Sequence, residues 1–181
     1  LWGPNTMFNF AAKSKTIGGV CNSTPEAEMS SANMALKQIG FPTLDLLEVV
    51  CDRKVVLRWY EDNTATIQIV TTGRNPTMRH LSRHQGISVR FLHDSFFPRD
   101  ETGHPIESQC FVDYIPSKLQ RADILTKAFR DAIGWKAAQR LMNVYSTERD
   151  KSGNPIFERD MTQPPHADGH VAVVASERFA E

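Results

Sequence analysis

The stretch "KVVLRWYEDNTATIQIV", residues 54–70, restricts the fold of this chain more than any other. Residues 55–60 are mostly β-branched, apolar or aromatic, and the run is long enough for a central strand. Two adjacent acids, Glu61 and Asp62, follow at once. From Asn63 to about Val70, the apolar positions Ala65, Ile67 and Ile69 fit either the strand or the helix period. The reading taken is helix, because the segment opens behind Asp62, a residue type that caps helix N-termini. A strand that hands two carboxylates to a helix start places them where open α/β sheets collect ligands.

The flanking segments supply the remaining elements. Two short strands are expected in "TMFNFAAKSK" and "TIGGVCNS", the second weakened by Gly18 and Gly19. "STPEAEMSSANMALKQIG" carries a helix start, with Ser23 or Thr24 as N-cap, Pro25 in the first turn and Glu26 placed for a capping box. That helix is expected to stop at Gly40, before Pro42, with a second helical piece over 44–50. "GRNPTMRH" reads as a loop, and "SRHQGISVRFLHDSFF" as a helix burying Ile87, Phe91 and Leu92. "PRDETGHPIES" is a polar turn, and "QCFVDYIP" alternates like a strand and ends at Pro116. Residues 119–145 predict one or two helices with Gly134 as the joint. From Ser146 onward Pro, Gly, His and charges dominate, so 146–181 reads as a polar, flexible tail with one short strand at "HVAVVAS". Strands first, then strands alternating with helices, indicate one mixed-sheet α/β domain over 1–145.

Composition excludes some classes and leaves others open. Charge is balanced at 21 basic against 21 acidic residues, and 40% of residues are hydrophobic, which suits a soluble globular chain and selects no partner. No apolar run approaches the ~20 residues of a membrane helix, so no membrane association is expected. The start lacks the basic and apolar regions of a signal peptide, and also an initiator Met, so the chain reads as a fragment. Cys21, Cys51 and Cys110 are scattered, odd in number and without a CxxC pair. Reduced thiols in an intracellular compartment, cytoplasm or nucleus, are the expectation.

Three acids occupy comparable positions: Glu28 in the first turns of the first long helix, Asp62 at the end of the best strand, and Asp123 in "RADILTK". Converging carboxylates without a Cys or His cluster favour a hard cation such as Mg²⁺ and phosphoryl chemistry over zinc hydrolysis. Each acid alone is equally an ordinary helix cap or first-turn residue. Between Asp62 and Asp94 no acid occurs, while Arg74, Arg79, Arg83, Arg90, His80, His84 and His93 do. Such a stretch can guide a phosphate backbone, or be a solvated face. His80 and His84 have a zinc-compatible spacing but no evident third ligand.

Four blocks in order, "NSTPEAEMSSANMALKQI", "WYEDNTATIQI", "NPTMRHLSRHQGISVRFLHDSF" and "DYIPSKLQRADILTKAF", resemble the ribonuclease H region that ends the Pol polyprotein of copia-type LTR retrotransposons. There the pattern reads roughly S-T-x-E-A-E-Y, D-N-x-x-A-I, N-P-x-x-x-x-R-x-K-H-I-D and Q-x-A-D-I-x-T-K, and the match spans about 8–129. The resemblance implies a ribonuclease H-like mixed sheet flanked by helices. It implies Glu28, Asp62 and Asp123 as catalytic, metal-holding carboxylates, and Asn63, Arg79, Arg83, His84 and Lys127 as nucleic-acid contacts. The implied activity is two-metal, Mg²⁺-dependent hydrolysis of the RNA strand of an RNA–DNA hybrid. The implied partners are that hybrid and the reverse transcriptase part of the same polyprotein.

The departures carry equal weight. Such folds use four carboxylates, the first on a D-A-D-W-like first strand, and residues 1–22 contain no Asp or Glu. "AAKSK" fits the block that follows that strand, so the first strand is expected to be missing and the two-metal site incomplete. Gly86 stands at the Asp position of K-H-I-D, and Met29 replaces the usual Tyr. Two readings follow: a hydrolase completed by a longer parent protein, or a catalytically inactive transposon remnant with residual nucleic-acid or metal binding. As the isolated chain, inactivity is the expectation.

Overall fold

The computed structural model describes residues 9–15, 17, 21–75 and 87–142, and the backbone of 2–3, 6–7 and 170–174. It is a mixed α/β structure. In chain order its strands and helices are β1 (Trp2–Gly3), β2 (Thr6–Met7), α1 (Thr24–Ala35), a π-helical segment (Leu36–Gly40), α2 (Phe41–Cys51), β3 (Val56–Glu61), α3 (Thr64–Thr72), α4 (Val89–Phe96), β4 (Cys110–Tyr114), α5 (Ala132–Leu141) and β5 (His170–Val174). Two short 3₁₀ turns, Ser117–Leu119 and Arg121–Leu125, lie between β4 and α5.

β3 is the organising element. It runs parallel to β4, from Leu57↔Cys110 to Glu61↔Tyr114, and parallel to β5, from Val56↔His170 to Tyr60↔Val174. The sheet order is β2-β1-β5-β3-β4, with β1 antiparallel to both its neighbours. Because successive strand residues point to opposite faces, Leu57, Trp59 and Glu61 share one side, and all three are fully buried. On that side Leu57 and Trp59 join Met29, Ala32 and Leu36 from the first helical run, Val70 of α3, and Leu92 and Phe96 of α4. The rings of Trp59 and Phe96 lie 5.5 Å apart. On the other side Arg58 pairs with Asp113 at 2.7 Å and lies over the Phe111 ring.

Several sequence expectations change. The first helix does not stop at Gly40: α1, the π segment and α2 form one helical run through 24–51. Phe41 donates its N–H to the Leu36 carbonyl, five residues back, and Pro42 falls in the first turn of α2. One widened turn therefore absorbs the hydrogen bond that proline cannot make. The cap of α3 is Asn63, not Asp62: its Oδ1 accepts from the amides of Ala65 and Thr66. Ser23 makes no side-chain cap bond, and Glu26 accepts instead from the Asn22 amide at 2.6 Å. Ile87 is buried ahead of α4, whose cap is Ser88, with its hydroxyl accepting from the Phe91 amide. Gly134 lies inside α5, not at a joint; Asp131 caps that helix by accepting from the Gly134 amide.

Among the described residues of "TMFNFAAKSK", Thr6–Met7 is strand and 9–15 have no regular structure. The tail expected over 146–181 is described only at β5, which takes a place inside the sheet. The second short strand and the loop expected over 73–80 each fall partly outside the described residues, as do 82–86 of the helix expected over 82–97. No helix among the described residues is long and apolar enough to cross a membrane.

Candidate metal centre

Three acids meet at the C-terminal end of β3. Glu28 comes from α1, Glu61 is the last residue of β3, and Asp62 follows it. Each offers a carboxylate oxygen, and these oxygens lie within 4.8 Å of one another. Local sequence explains the meeting. Strand alternation turns Glu61 to the same buried side as Leu57 and Trp59, where α1 packs. Glu28 sits between Ala27 and Met29 on the buried part of α1. The chain then breaks from strand to helix at Asp62, so consecutive acids can reach one point.

Burial and hydrogen bonding define the environment. Glu61 is 0% and Glu28 7% exposed, while Asp62 is half-buried. The Asn63 backbone N–H donates to Glu61 Oε1 at 2.9 Å. The Glu61 carbonyl accepts from the Ile115 amide at 3.0 Å, which ties the strand end to the exit of β4. A cation placed among three carboxylates this close would offset their mutual repulsion. All three donors are hard oxygens, a set that suits Mg²⁺ and contains no soft ligand for zinc.

The expected triad differs in one member. Glu28 and Asp62 come together, but Asp123 does not join this group. It lies in the 3₁₀ turn Arg121–Leu125, where Lys127 Nζ donates to its Oδ2 at 2.7 Å and the amides of Thr126 and Lys127 donate to its carbonyl. Lys127, expected to contact nucleic acid, is the partner in that i,i+4 ion pair. Asn63 caps α3 and holds Glu61. Arg79, Arg83 and His84 lie outside the described residues. Glu61, read from the sequence as a neighbour of Asp62, is the third member of the group; the strand alternation of 57, 59 and 61 carried the signal.

Nearby groups are tuned by burial. Burial raises the Tyr60 hydroxyl above the ordinary tyrosine value, against the lowering effect of Arg58. Burial also brings Arg121 down to about 10, partly offset by Tyr60.

Comparison with protein-family models, with curated proteins and with solved structures finds no match.

Proposed function

We propose that this chain is the retrotransposon-derived, metal-binding part of a ribonuclease H-like domain, which hydrolyses the RNA of RNA–DNA hybrids as part of a longer Pol polyprotein. The observation that carries this reading is the meeting of Glu28 and Asp62 with Glu61 at the end of the central parallel strand. Distant sequence blocks that the resemblance assigns to one site supply carboxylates within 4.8 Å. The mixed sheet flanked by helices agrees with the expected architecture.

In this reading Glu28, Glu61 and Asp62 hold Mg²⁺. Bound there, the ion supplies activation of a water and stabilisation of the leaving 3′-oxygen of a phosphodiester. Asn63 fixes the Glu61 carboxylate through its backbone amide and fixes α3 through its side chain. Burial of Glu28 and Glu61 keeps water from competing for their oxygens and strengthens their pull on a cation.

A second reading, a catalytically inactive remnant that retains cation binding, is favoured by specific observations. The group holds three carboxylates, Asp123 is engaged with Lys127, and β5, the strand beside β3, contains no Asp or Glu. Holding a cation requires oxygen ligands and negative charge. Hydrolysis requires the attacking and leaving oxygens to be held in line, and small misplacements cost orders of magnitude in rate.

The experiment is cleavage of an RNA–DNA hybrid in Mg²⁺ by residues 1–181 and by a longer parent protein that adds an upstream strand bearing Asp. The expectation is no useful cleavage by residues 1–181, Mg²⁺-dependent cleavage by the longer protein, and its loss in Asp62→Asn. Cleavage by residues 1–181 that Asp62→Asn abolishes would show that another group stands in for the absent acid. A longer protein with intact polymerase motifs that fails to cleave would favour the remnant.

A further inference from the structure

β4 is the outer strand of the sheet, with β3 on one side and none of the described strands on the other. The Leu57 N–H donates to the Gln109 carbonyl, and the Ile115 N–H to the Glu61 carbonyl. In a parallel ladder this turns the main-chain groups of Phe111 and Asp113 toward β3, and those of Cys110, Val112 and Tyr114 outward. The outward positions differ. Ser108 Oγ accepts from the Cys110 N–H at 3.0 Å and donates to the Cys110 carbonyl at 2.9 Å. Pro116, the next outward position, has no N–H, and its carbonyl accepts from the Leu119 amide at 2.8 Å. Among the described residues, no hydrogen bond reaches the main chain of Val112 or Tyr114. The edge is therefore open at Val112 and Tyr114 and closed on either side of them. It is also uncovered: Tyr114 is 58% and Phe111 39% exposed.

We propose that this edge pairs with a second copy of the chain, β4 against β4, antiparallel about a two-fold axis at Asp113. In that register the Val112 N–H donates to the Tyr114 carbonyl of the second copy, and the Tyr114 N–H to its Val112 carbonyl. The symmetry repeats both bonds, so every open main-chain group finds a partner. The ends fit as well. Pro116 falls opposite Cys110 of the second copy, where Pro116 has no donor to offer and Cys110 needs none. An axis at Val112 would instead set Tyr114 against Cys110, whose groups Ser108 already occupies. Side chains agree with the first register. Tyr114 lies over Val112 of the second copy, and Phe111 beside its Ile115. The two Asp113 residues face each other at about 4.5 Å between Cα atoms. Like charges there would oppose pairing, but each Asp113 is neutralised by its own Arg58 at 2.7 Å. Alternating Arg58 and Asp113 groups then make the seam self-complementary in charge. Pairing uses the one edge of each copy and closes at two. The inference rests on the β4 edge and is independent of the metal reading.

Sedimentation equilibrium of the full 181-residue chain, in EDTA, tests it. The average mass is expected to rise from one copy toward two between about 10 µM and about 1 mM, as suits a small interface. A chain that stays monomeric through about 1 mM, or grows past two copies, would overturn the proposal. Tyr114→Pro removes an N–H that β3 does not use, so its melting temperature should stay near wild type while dimer affinity falls about tenfold or more. Tyr114→Thr keeps that N–H and should lose no more than about fivefold. Arg58→Gln leaves Asp113 facing its copy uncompensated. Affinity should fall about fivefold or more at low salt, and most of that loss should return in about 0.5 M NaCl. Tyr114→Pro that dimerises like wild type would refute pairing through this edge. Arg58→Gln that dimerises like wild type at low salt would refute the register. If Tyr114→Pro unfolds, the wild-type mass and the salt dependence of Arg58→Gln decide.

Discussion

Asn63 and Glu61 are tied to each other across Asp62: the Asn63 backbone N–H donates to Glu61 Oε1 at 2.9 Å, while the Asn63 side chain caps α3. One residue thus holds a buried carboxylate with its main chain and a helix with its side chain. The two roles separate by mutation. Asn63→Ala should cost about 1 kcal/mol of stability, the worth of an N-cap, and leave the bond to Glu61 in place. Asn63→Asp keeps the cap and should recover most of that loss. Urea denaturation of the three proteins, with slopes compared, measures both effects.

Gly73 ends α3 at φ 66°, with its N–H shared between the carbonyls of Ile69 and Val70. A Cβ added there would stand 2.8 Å from His93 Cγ, and that ring is held by its Nδ1 against the Val70 carbonyl at 2.9 Å. Backbone strain and ring displacement therefore act together. Gly73→Ala is expected to destabilise by roughly 1–3 kcal/mol. Thermal melts of Gly73→Ala and of the double variant with His93→Ala check this, and the double variant should regain the part due to the clash.

Burial pushes the Cys110 thiol from 9.0 to about 11. Between those values the unfolded chain has released the proton and the folded chain keeps it, so stability falls as pH rises from about 9 to about 11. The raised Tyr60 hydroxyl adds loss in the same direction above its ordinary value. Arg121, brought down to about 10 by burial, has the opposite sign, with stability rising above that value. Cys110→Ala should therefore flatten the fall between pH 9 and 11 without removing it. Denaturation midpoints of both proteins across that range are the measurement.

The legible parts of the sequence were those in which a local rule and the tertiary context agree. Residues 55–60 read as a central strand because apolar and β-branched side chains suit a strand covered on both edges, and β3 lies there, offset by one residue. The Asp131 cap and the run through Pro42 were not legible for a shared reason. Gly134 and Gly40–Pro42 look like breakers, yet a first-turn glycine and a π turn accommodate them at little cost. Glu28 and Asp62 were legible as carboxylates at element ends, whereas Glu61 needed the register of β3 to show which face it occupies. The place of β5 was beyond reach, since a five-residue apolar strand does not announce its neighbours.

Asp123 separates the triad expected from the sequence from the group found in space. Its carboxylate pairs with Lys127 and is not one of the three that meet in the group of Glu28, Glu61 and Asp62. Asp123→Asn should leave Mg²⁺ affinity within about twofold of wild type, since a partly exposed i,i+4 ion pair contributes little on its own. Glu61→Gln should weaken it at least tenfold, because a hard cation loses a charged oxygen ligand. Titration calorimetry on both variants reads the difference, and a reversed order would return Asp123 to the site.

The central claim is that Glu28, Glu61 and Asp62 form a cation site, and Mg²⁺ titration of the 181-residue chain against its Asp62→Asn variant tests it most directly. The account predicts saturable binding by the wild type, with a rise in melting temperature that follows site occupancy, and loss of both in Asp62→Asn. Absence of saturable binding by the wild type, or binding that Asp62→Asn leaves unchanged, would contradict it.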